Sequence, residues 1–533
     1  MRKIIILMAL LSSSFLQGQP SKVTVDTVTD YKSWGSKWKA IVMQNDLITL
    51  ATVPAIGGRV MQYDLGDDSS IFINPAELGK THTPSKDGQW YNVGGYKTWP
   101  SPQSRWPGAW PPPYTLDRGN YTFQIDSLSG DSAATLVTSP VEQWVAPGIQ
   151  FERRATIYLG TSRVKMEQTI INKGTNPVSW GIWSITQSIV NHPGKTDYGN
   201  FWVYFPINPN SIFGPSGIHS PDSGPPSNAW KGEVAPGVYG VQFFPTNPNG
   251  QKIYADPHKG WIAYADLLDS IVYAKTFDIF EGAQYPDSAR ITVYVSGANP
   301  VYVEVEVKAP VVNLASNERY TFIENWWAAK VRGPVLDVNT IGVVAGRLSY
   351  NPATQTLSAF YGVFHKGTAR IAFVDSNNQI LSEGLSFPVS PLAEFQLQDT
   401  LVIPDRAKTI EIRIYNTQGE LIGILDSTNI SDILTTVEEN PPVIASAYRL
   451  AQNYPNPFNP STKISFSVAQ TEYTKLSVYN LLGKQVAVLF DGLAEGNKEF
   501  IVTFDGSLFA SGVYFYKMQT PTRTDVRRMI LMK

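Results

Sequence analysis

The chain has 533 residues, which leaves room for roughly three domains at about 100 to 200 residues each. Its 43 basic and 45 acidic side chains give a formal charge of −2, so it lacks the charge excess that holds nucleic acid or an anionic membrane. A content of 41 glycines, 38 prolines and 12% aromatic residues favours a folded, turn-rich chain that is mostly β. Cysteine is absent, which excludes disulfides, thiolate metal sites and a thiol nucleophile.

The first twenty residues have the layout of a secretory signal peptide. Arg2 and Lys3 precede the apolar run Ile4–Leu11, and small and polar residues follow it. That run is far shorter than the roughly 20 residues that cross a bilayer, and no later segment is long and apolar enough to do so. We therefore expect residues 1–20 to be a signal peptide and the exported chain to have no transmembrane segment.

Two seams divide the rest of the chain. All 14 tryptophans lie between Trp34 and Trp327, and Arg332–Pro334 comes shortly after the last of them, so the composition changes where Gly and Pro interrupt regular structure. A second, polar stretch that contains "TTVEENPP" is typical of a linker. We predict a large domain over 21–331, a small β-sandwich over 335–434, a linker over 435–446 and a C-terminal domain over 447–533.

Strand patterns dominate the first two parts. Apolar and polar residues alternate with period two over Ala289–Ser296 and Val301–Val307, and β-branched residues fill Arg154–Ile171. The middle part has short apolar runs at Ile371–Asp375 and Thr409–Tyr415. Because the first part is too long for one immunoglobulin-like sandwich of about 100 residues, we predict an all-β chain that begins with a larger two-sheet assembly.

Residues 90–114, "WYNVGGYKTWPSPQSRWPGAWPPPY", combine tryptophans with prolines. Proline lacks the amide donor of a sheet ladder, so we predict a stiff loop rather than a central strand. Exposed indole faces would attract the C–H faces of sugar rings; alternatively, the rings plug one end of the sandwich and leave no cavity. The predicted saccharide-binding residues are Trp99, Trp106 and Trp110, with Lys97, Gln103 and Arg105 as donors to hydroxyls or a carboxylate.

Three further residues are candidates for proton transfer. Glu304 and Glu306 lie two apart in one predicted strand and so share a face, where their repulsion would raise one pKa and provide a general base. The alternative is that both are solvated glutamates on a strand surface. His192 lies in the turn sequence "VNHPG" and is a candidate acid. No histidine pair has zinc-helix spacing and no calcium or phosphate loop is present, so we predict no metal and no cofactor.

The end of the chain resembles a known export signal. It contains "LAQNYPNPFNP" at 450–460, alternating strands at Lys463–Val468 and Lys475–Tyr479, then "ASGVYFYKM" and the basic ending "RRMILMK". The Asn-Pro pairs, Gly483 and Gly512 favour tight turns. The string is similar to the type A C-terminal sorting domain of the type IX secretion system. That resemblance implies passage across an outer membrane, a secreted or cell-surface location, and the secretion machinery as partner; the alternative is a terminal immunoglobulin-like module.

The large domain resembles a poorly characterised branch of the galactose mutarotase-like superfamily. The segments that carry the resemblance are "VPAIGGRVMQYDLG" (53–66), "GGYKTWPSPQ" (94–103), "WPPPYTLDRGNY" (110–121), "MEQTIINKGTNPVSWGIWSITQ" (166–187) and "VEVEVKAPVVNLASNERYTFIENWW" (303–327). The resemblance implies a β-supersandwich with a carbohydrate cleft across one sheet, followed here by two small immunoglobulin-like β-sandwiches.

Family epimerases pair a late-strand glutamate with a histidine, and Glu304 or Glu306 matches that glutamate. Their Asn-His motif continues into an aromatic pair, whereas Asn191-His192 continues into Pro193-Gly194. The resemblance implies that Gln187 occupies the strand equivalent to that of the histidine, where it cannot supply an acidic proton and is a predicted saccharide-binding residue. The resemblance therefore implies saccharide binding; the alternatives are an epimerase-like enzyme and an adhesive surface protein without catalysis.

Overall fold

The structure is a computed structural model that describes residues 22–86, 89–108, 110–192, 198–221, 229–244, 250–434, 448–453, 455–468, 472–481, 484–494, 496, 498–520 and 523–532. The predicted signal peptide over 1–20, the predicted linker over 435–446, Gly483 and Lys533 lie outside these ranges. The chain divides into two compact units. The first holds residues 1–233, 237–349 and 356–428, and the second holds 234–236, 350–355 and 429–533.

Twenty-two strands form the first part of the described chain. In order they are β1 Thr24–Val28, β2 Ala40–Gln44, β3 Ile48–Val53, β4 Arg59–Leu65, β5 Asp68–Ser69, β6 Tyr96–Ser101, β7 Thr122–Leu128, β8 Ser132–Thr138, β9 Ile149–Tyr158, β10 Val164–Asn172, β11 Val178–Ser188, β12 Phe201–Pro206, β13 Ile218–His219, β14 Trp230–Ala235, β15 Val238–Gln242, β16 Gln251–Ala255, β17 Trp261–Asp266, β18 Ile271–Phe277, β19 Ile291–Val295, β20 Val303–Lys308, β21 Val312–Leu314 and β22 Arg319–Lys330.

These strands make two large sheets. The first sheet has the order β1-β2-β3-β4-β6-β11-β20-β19-β16-β13, with β5 on β4 and β21 on β11, and the second has the order β14-β15-β12-β17-β18-β22-β10-β9-β8-β7. One shared core of apolar side chains lies between them. The described chain is thus predominantly β, as predicted. Its helical elements are α1 Tyr114–Arg118, α2 Ile430–Leu434 and six three-residue 3-10 turns at Tyr31–Ser33, Pro54–Ile56, Pro75–Glu77, Gln103–Arg105, Tyr198–Asn200 and Pro286–Ser288.

Period-two alternation explains the faces of the first sheet. In β20 the odd-numbered residues Val303, Val305 and Val307 are buried in the core. Val305 lines one cavity together with Tyr264 and Lys275 of the second sheet, so this side of β20 is the side that meets the second sheet. The even-numbered Glu304 and Glu306 therefore lie on the opposite face. The strands predicted at 289–296, 301–307 and 154–171 are confirmed as β19, β20 and the β9–β10 pair.

The loop prediction for residues 90–114 is wrong in one segment. Residues 96–101 form β6, which lies between β4 and β11 although it contains Pro100. β6 pairs along its length with β11 but with β4 only at Tyr96. The edge of β6 that faces away from β11 at Pro100 therefore requires no proline N–H, which is how a sheet tolerates this residue.

The middle part contributes two four-stranded sheets. They contain β23 Asp337–Val338, β24 Gly342–Asn351, β25 Thr356–Val363, β26 Gly367–Val374, β27 Ile380–Val389, β28 Phe395–Thr400, β29 Thr409–Tyr415 and β30 Leu421–Asn429, in the orders β23-β24-β25-β28 and β27-β26-β29-β30. The runs predicted at 371–375 and 409–415 are confirmed as β26 and β29. This part packs on the first one, since the Trp327 and Phe364 rings stack at 5.1 Å. Its boundaries at 335 and 434 remain predictions.

The C-terminal part has a three-stranded and a four-stranded sheet around its own core. The strands are β31 Arg449–Leu450, β32 Ser461–Ser467, β33 Glu472–Asn480, β34 Gln485–Ala494, β35 Glu499–Asp505, β36 Gly512–Gln519 and β37 Thr524–Leu531, in the orders β31-β32-β35 and β34-β33-β36-β37. Phe466, Val478 and Tyr516 lie in that core. None of the helices in the described ranges is long and apolar enough to span a membrane.

Candidate functional site

The outer face of the first sheet, which points away from the second sheet, brings several predicted residues together. Across neighbouring strands, Gln187 of β11 pairs with Glu304 of β20, and Glu304 pairs with Tyr294 of β19. One step along, Lys97 of β6 pairs with Ile185, and Ile185 pairs with Glu306. Antiparallel neighbours on one face are in contact distance, so the register alone collects Lys97, Gln187, Glu304 and Glu306.

Two donors meet on one oxygen of Glu304. Lys97 Nζ and Gln187 Nε2 donate to its Oε1 over 3.1 and 2.9 Å. The Glu304 side chain keeps 13% of its surface exposed, whereas Lys97 is buried. Burial lowers the pKa of Lys97, and the Glu304 carboxylate opposes that shift. The result is a carboxylate that side chains of neighbouring strands hold in place and that solvent reaches in part.

The backbone before β6 must approach its neighbours closely to place Lys97. Gly94 and Gly95 have φ values of +94° and +77°, and a Cβ on Gly94 would lie 2.3 Å from the carbonyl oxygen of Phe72. Only glycine adopts this conformation without strain. The pair therefore fixes where β6 enters the sheet.

Glu306 has the same sheet face but a different environment. It is fully buried, and Trp183 Nε1 donates to its Oε2 over 2.6 Å. Its Oε1 has no hydrogen-bond partner among the residues that the structure describes. Burial raises the pKa of Glu306, and the charge of Glu304 acts in the same direction, while Lys252 and Lys308 act against it. A carboxyl that solvent does not reach cannot touch a ligand in this arrangement.

The three predicted aromatic residues separate into two groups. Trp99 and Trp106 are buried; Trp99 Nε1 donates to Asp117 and Trp106 Nε1 to the carbonyl of Pro100. Trp99 lies two residues after Lys97 in β6 and pairs with Trp183 of β11, so its side chain is on the outer face of the first sheet. Trp106 packs against it at 5.6 Å, and the two rings, both covered by their neighbours, do not form an open wall. Trp110 is 47% exposed and meets Trp99 edge-on at 6.2 Å. Since Lys97 Nζ lies 5.0 Å from the Trp99 ring centre, Trp110, Trp99, Lys97 and Glu304 form one continuous cluster.

Gln103 and Arg105 lie in the 3-10 turn that follows β6. Arg105 donates to the carbonyl of Ser179 and lies over the Trp180 ring. Its recorded contacts are thus with the start of β11 and not with either glutamate. Its predicted ligand role, like that of Gln103, remains a prediction.

His192 contacts neither glutamate in the described part of the chain. Its Nε2 lies 2.6 Å from Asp266 Oδ2 and 3.4 Å from Asp269 Oδ2. Ligand atoms of these three residues lie within 4.8 Å of one another, which is an arrangement that could hold a metal ion. No close spacing marks this group in the sequence, because the two aspartates follow His192 by more than 70 residues and only the fold brings the three together.

Three functional candidates escaped the sequence analysis. Lys308 follows Glu304 and Glu306 on the same face of β20, and its Nζ donates to Asp287 over 2.7 Å and lies 4.4 Å from the Tyr254 ring. Lys252 lies 4.9 Å from the Trp183 ring on the same face. The alternation in "VEVEVK" extends to Lys308, so the sequence pattern could have identified this residue. Lys252 and Trp183, the other two candidates, have no such pattern around them.

A comparison with protein families matches the end of the chain. Residues 452–532 match the family described as the secretion system C-terminal sorting domain. The chain thus carries a type IX sorting domain, and the protein is exported through that system to the cell surface or the outside. No curated protein matches the chain.

Solved structures resemble the chain at low identity. A TPR-domain containing protein from Parabacteroides distasonis is 13% identical with a TM-score of 0.40, over 57% of this chain and 49% of that one, so the match spans about half of that protein. A galactose mutarotase related enzyme from Lactobacillus acidophilus is 9% identical with a TM-score of 0.37, over 55% of this chain and 98% of that one. A galactose mutarotase-like protein from Clostridium acetobutylicum is 11% identical with a TM-score of 0.36, over 58% and 98%. The neighbours therefore include proteins of the superfamily that the sequence resembles, and at these scores they say nothing about the site.

Proposed function

We propose that this exported protein binds a saccharide on the outer face of its first large sheet, at Glu304 and Trp110, with the buried Lys97 and Gln187 positioning the Glu304 carboxylate. The observation that carries the proposal is the Glu304 carboxylate, which is partly exposed and has one of its two oxygens held by neighbouring side chains. Lys97 and Gln187 both donate to its Oε1, and no hydrogen bond from the described residues uses its Oε2. A fixed acceptor oxygen at the surface is what a sugar hydroxyl requires.

Trp110 supports the same assignment. Its ring is half exposed, and contacts with Trp90 at 5.1 Å and Trp99 at 6.2 Å hold it on one edge. A ring held in this way presents a large apolar surface at a low cost in side-chain entropy. Since sugar rings combine apolar C–H faces with hydroxyls, a cluster of one open indole and one oriented carboxylate suits them better than it suits a purely ionic ligand.

Binding is favoured over epimerase-like catalysis. Opening a sugar ring requires a base and an acid on either side of the reacting atoms. Glu304 has the position of a base, but the buried Glu306 offers no proton at the surface, and His192 lies beside Asp266 and Asp269. The described residues thus supply one half of the required pair.

The test is a glycan array probed with the full chain and with two matched variants. Glu304→Gln removes the carboxylate at the site, and Glu281→Gln removes an exposed carboxylate that pairs with Arg290. We expect the wild type and Glu281→Gln to bind the same glycans, and Glu304→Gln to lose at least tenfold in affinity. If no glycan binds, or if Glu304→Gln binds unchanged, the proposal is wrong; the absence of all binding would favour an adhesive protein.

A further inference from the structure

We propose that the ligand is an oligosaccharide, because a second subsite lies on the same sheet face at Phe213, His219 and Tyr254. This inference rests on the proposed function and specifies the length of its ligand. The second subsite lies at the edge of the first sheet, on and beside strands β13 and β16, and none of its residues belongs to the cluster around Glu304.

The strand register makes the two subsites continuous. His219 of β13 pairs with Tyr254 of β16, and Tyr254 pairs with Thr292 of β19. Thr292 in turn pairs with Glu306 of β20. Paired residues of antiparallel strands point to the same face, so His219 and Tyr254 lie on the face that carries Glu304 and Glu306.

Aromatic rings form a row at this edge. The rings of Phe213 and His219 are 5.8 Å apart and within 19° of parallel, and those of His219 and Tyr254 are 6.3 Å apart and within 22°. His219 is exposed, and Phe213 and Tyr254 are half-buried. An exposed rim of aligned rings provides the apolar contact that sugar C–H groups use.

Lysine side chains contact the rings of this row on the side nearest to β20. Lys308 Nζ lies 4.4 Å from the Tyr254 ring centre and is held there by Asp287. Between the two subsites, Lys252 Nζ lies 6.0 Å from the ring of Tyr294, which pairs with Glu304 across the strands. Two partly exposed rings and a partly exposed lysine, Tyr254, Tyr294 and Lys252, therefore lie on the way from Glu304 to His219, and side chains of these types contact sugars.

The distance between the subsites sets the length of the ligand. Three strand intervals separate β20, which carries Glu304, from β13, which carries His219. At about 4.8 Å per interval, this is about 14 Å. A single pyranose ring cannot reach across that distance, so a ligand that contacts both subsites has several sugar units.

Calorimetric titration of the full chain tests the inference. The probes are mono- to hexasaccharide series of glucose, galactose, mannose and xylose, and the variants are His219→Ala, Phe213→Ala and, as a matched control, His258→Ala, which removes an exposed histidine after β16. We expect the affinity of the preferred series to rise at least tenfold from one to four units. His219→Ala and Phe213→Ala should remove most of that rise while the monosaccharide affinity and the His258→Ala control stay unchanged.

The contradicting results differ from those for the proposed function. Equal affinity for all lengths, or a rise with length that persists in both His219→Ala and Phe213→Ala, overturns the second subsite and leaves saccharide binding at Glu304 intact. Binding of none of the probes, including the monosaccharides, overturns the proposed function itself and the inference with it.

Discussion

Two lysine–glutamate pairs of the first unit use the same chemistry in different surroundings. Lys97 and Glu304 lie on the outer face of the first sheet, 3.1 Å apart. Lys275 and Glu324 lie between the two sheets, 3.6 Å apart and almost fully buried. The outer pair leaves part of its carboxylate in solvent, whereas both oxygens of Glu324 accept from Ser184 and one also accepts from Trp326.

The difference separates a structural charge from one that is available to a ligand. Burial lowers the pKa of Lys275, and Glu324 opposes that shift, so the buried lysine depends on Glu324 to remain charged. A cavity of about 30 Å³ beside Lys275 is lined by Thr186, Tyr264 and Trp326, which is room for a water molecule and not for a sugar. Glu304 lies outside this enclosed space.

Breaking the inner pair should have the largest effect. Glu324→Ala leaves Lys275 as an uncompensated buried cation, and we expect the free energy of unfolding to fall by about 3–5 kcal/mol. Urea unfolding followed by tryptophan fluorescence measures the change. As a control, the double variant Lys275→Met/Glu324→Leu replaces both charges with apolar groups and should recover most of the loss; a double variant as unstable as Glu324→Ala would show that the pair is not what matters.

Glu306 should make stability depend on pH. Its pKa in the folded state is raised above its ordinary value of 4.5, so the folded state holds this proton more tightly than the unfolded state. The stabilisation from the protonated form is present in full below that ordinary value and is lost as the pH rises through the folded pKa. We expect Glu306→Gln, which stays neutral, to gain stability relative to the wild type between pH 4 and pH 8 in urea unfolding. A difference that is constant over this range would contradict the raised pKa.

Trp110 should give the smallest effect and should act on binding alone. Because the ring is half exposed, we expect Trp110→Ala to change the free energy of unfolding by less than about 0.5 kcal/mol. Loss of its stacking surface should weaken saccharide binding by about 0.5–1.5 kcal/mol, measured by calorimetry. Trp106→Ala provides the contrast, since that ring is buried and its removal should destabilise the fold instead. Equal effects of both variants on binding would show that Trp110 is not a contact residue.

The alternation of residues predicted much of the architecture and part of the site. "VEVEVK" placed Glu304 and Glu306 on one face of a late strand, and the structure has them there. The pattern could not separate the two, because Glu306 receives a hydrogen bond from Trp183 and the charge of Lys252, both of which lie on other strands. The grouping of His192 with Asp266 and Asp269, likewise, follows from long-range contacts that leave no local mark in the sequence. The proline content of residues 90–114 led to the wrong prediction of a loop at β6. This strand pairs along its length with β11 alone and with β4 only at Tyr96, and such pairing tolerates Pro100.

The most direct test of saccharide binding at Glu304 is a crystal structure of the full chain soaked with a mixture of oligosaccharides. The account predicts sugar density against the Trp110 ring, with a hydroxyl within hydrogen-bond distance of Glu304 Oε2. Sugar density confined to another surface, such as the middle sheets, or an outer sheet face that stays free of sugar at saturating ligand, would contradict it.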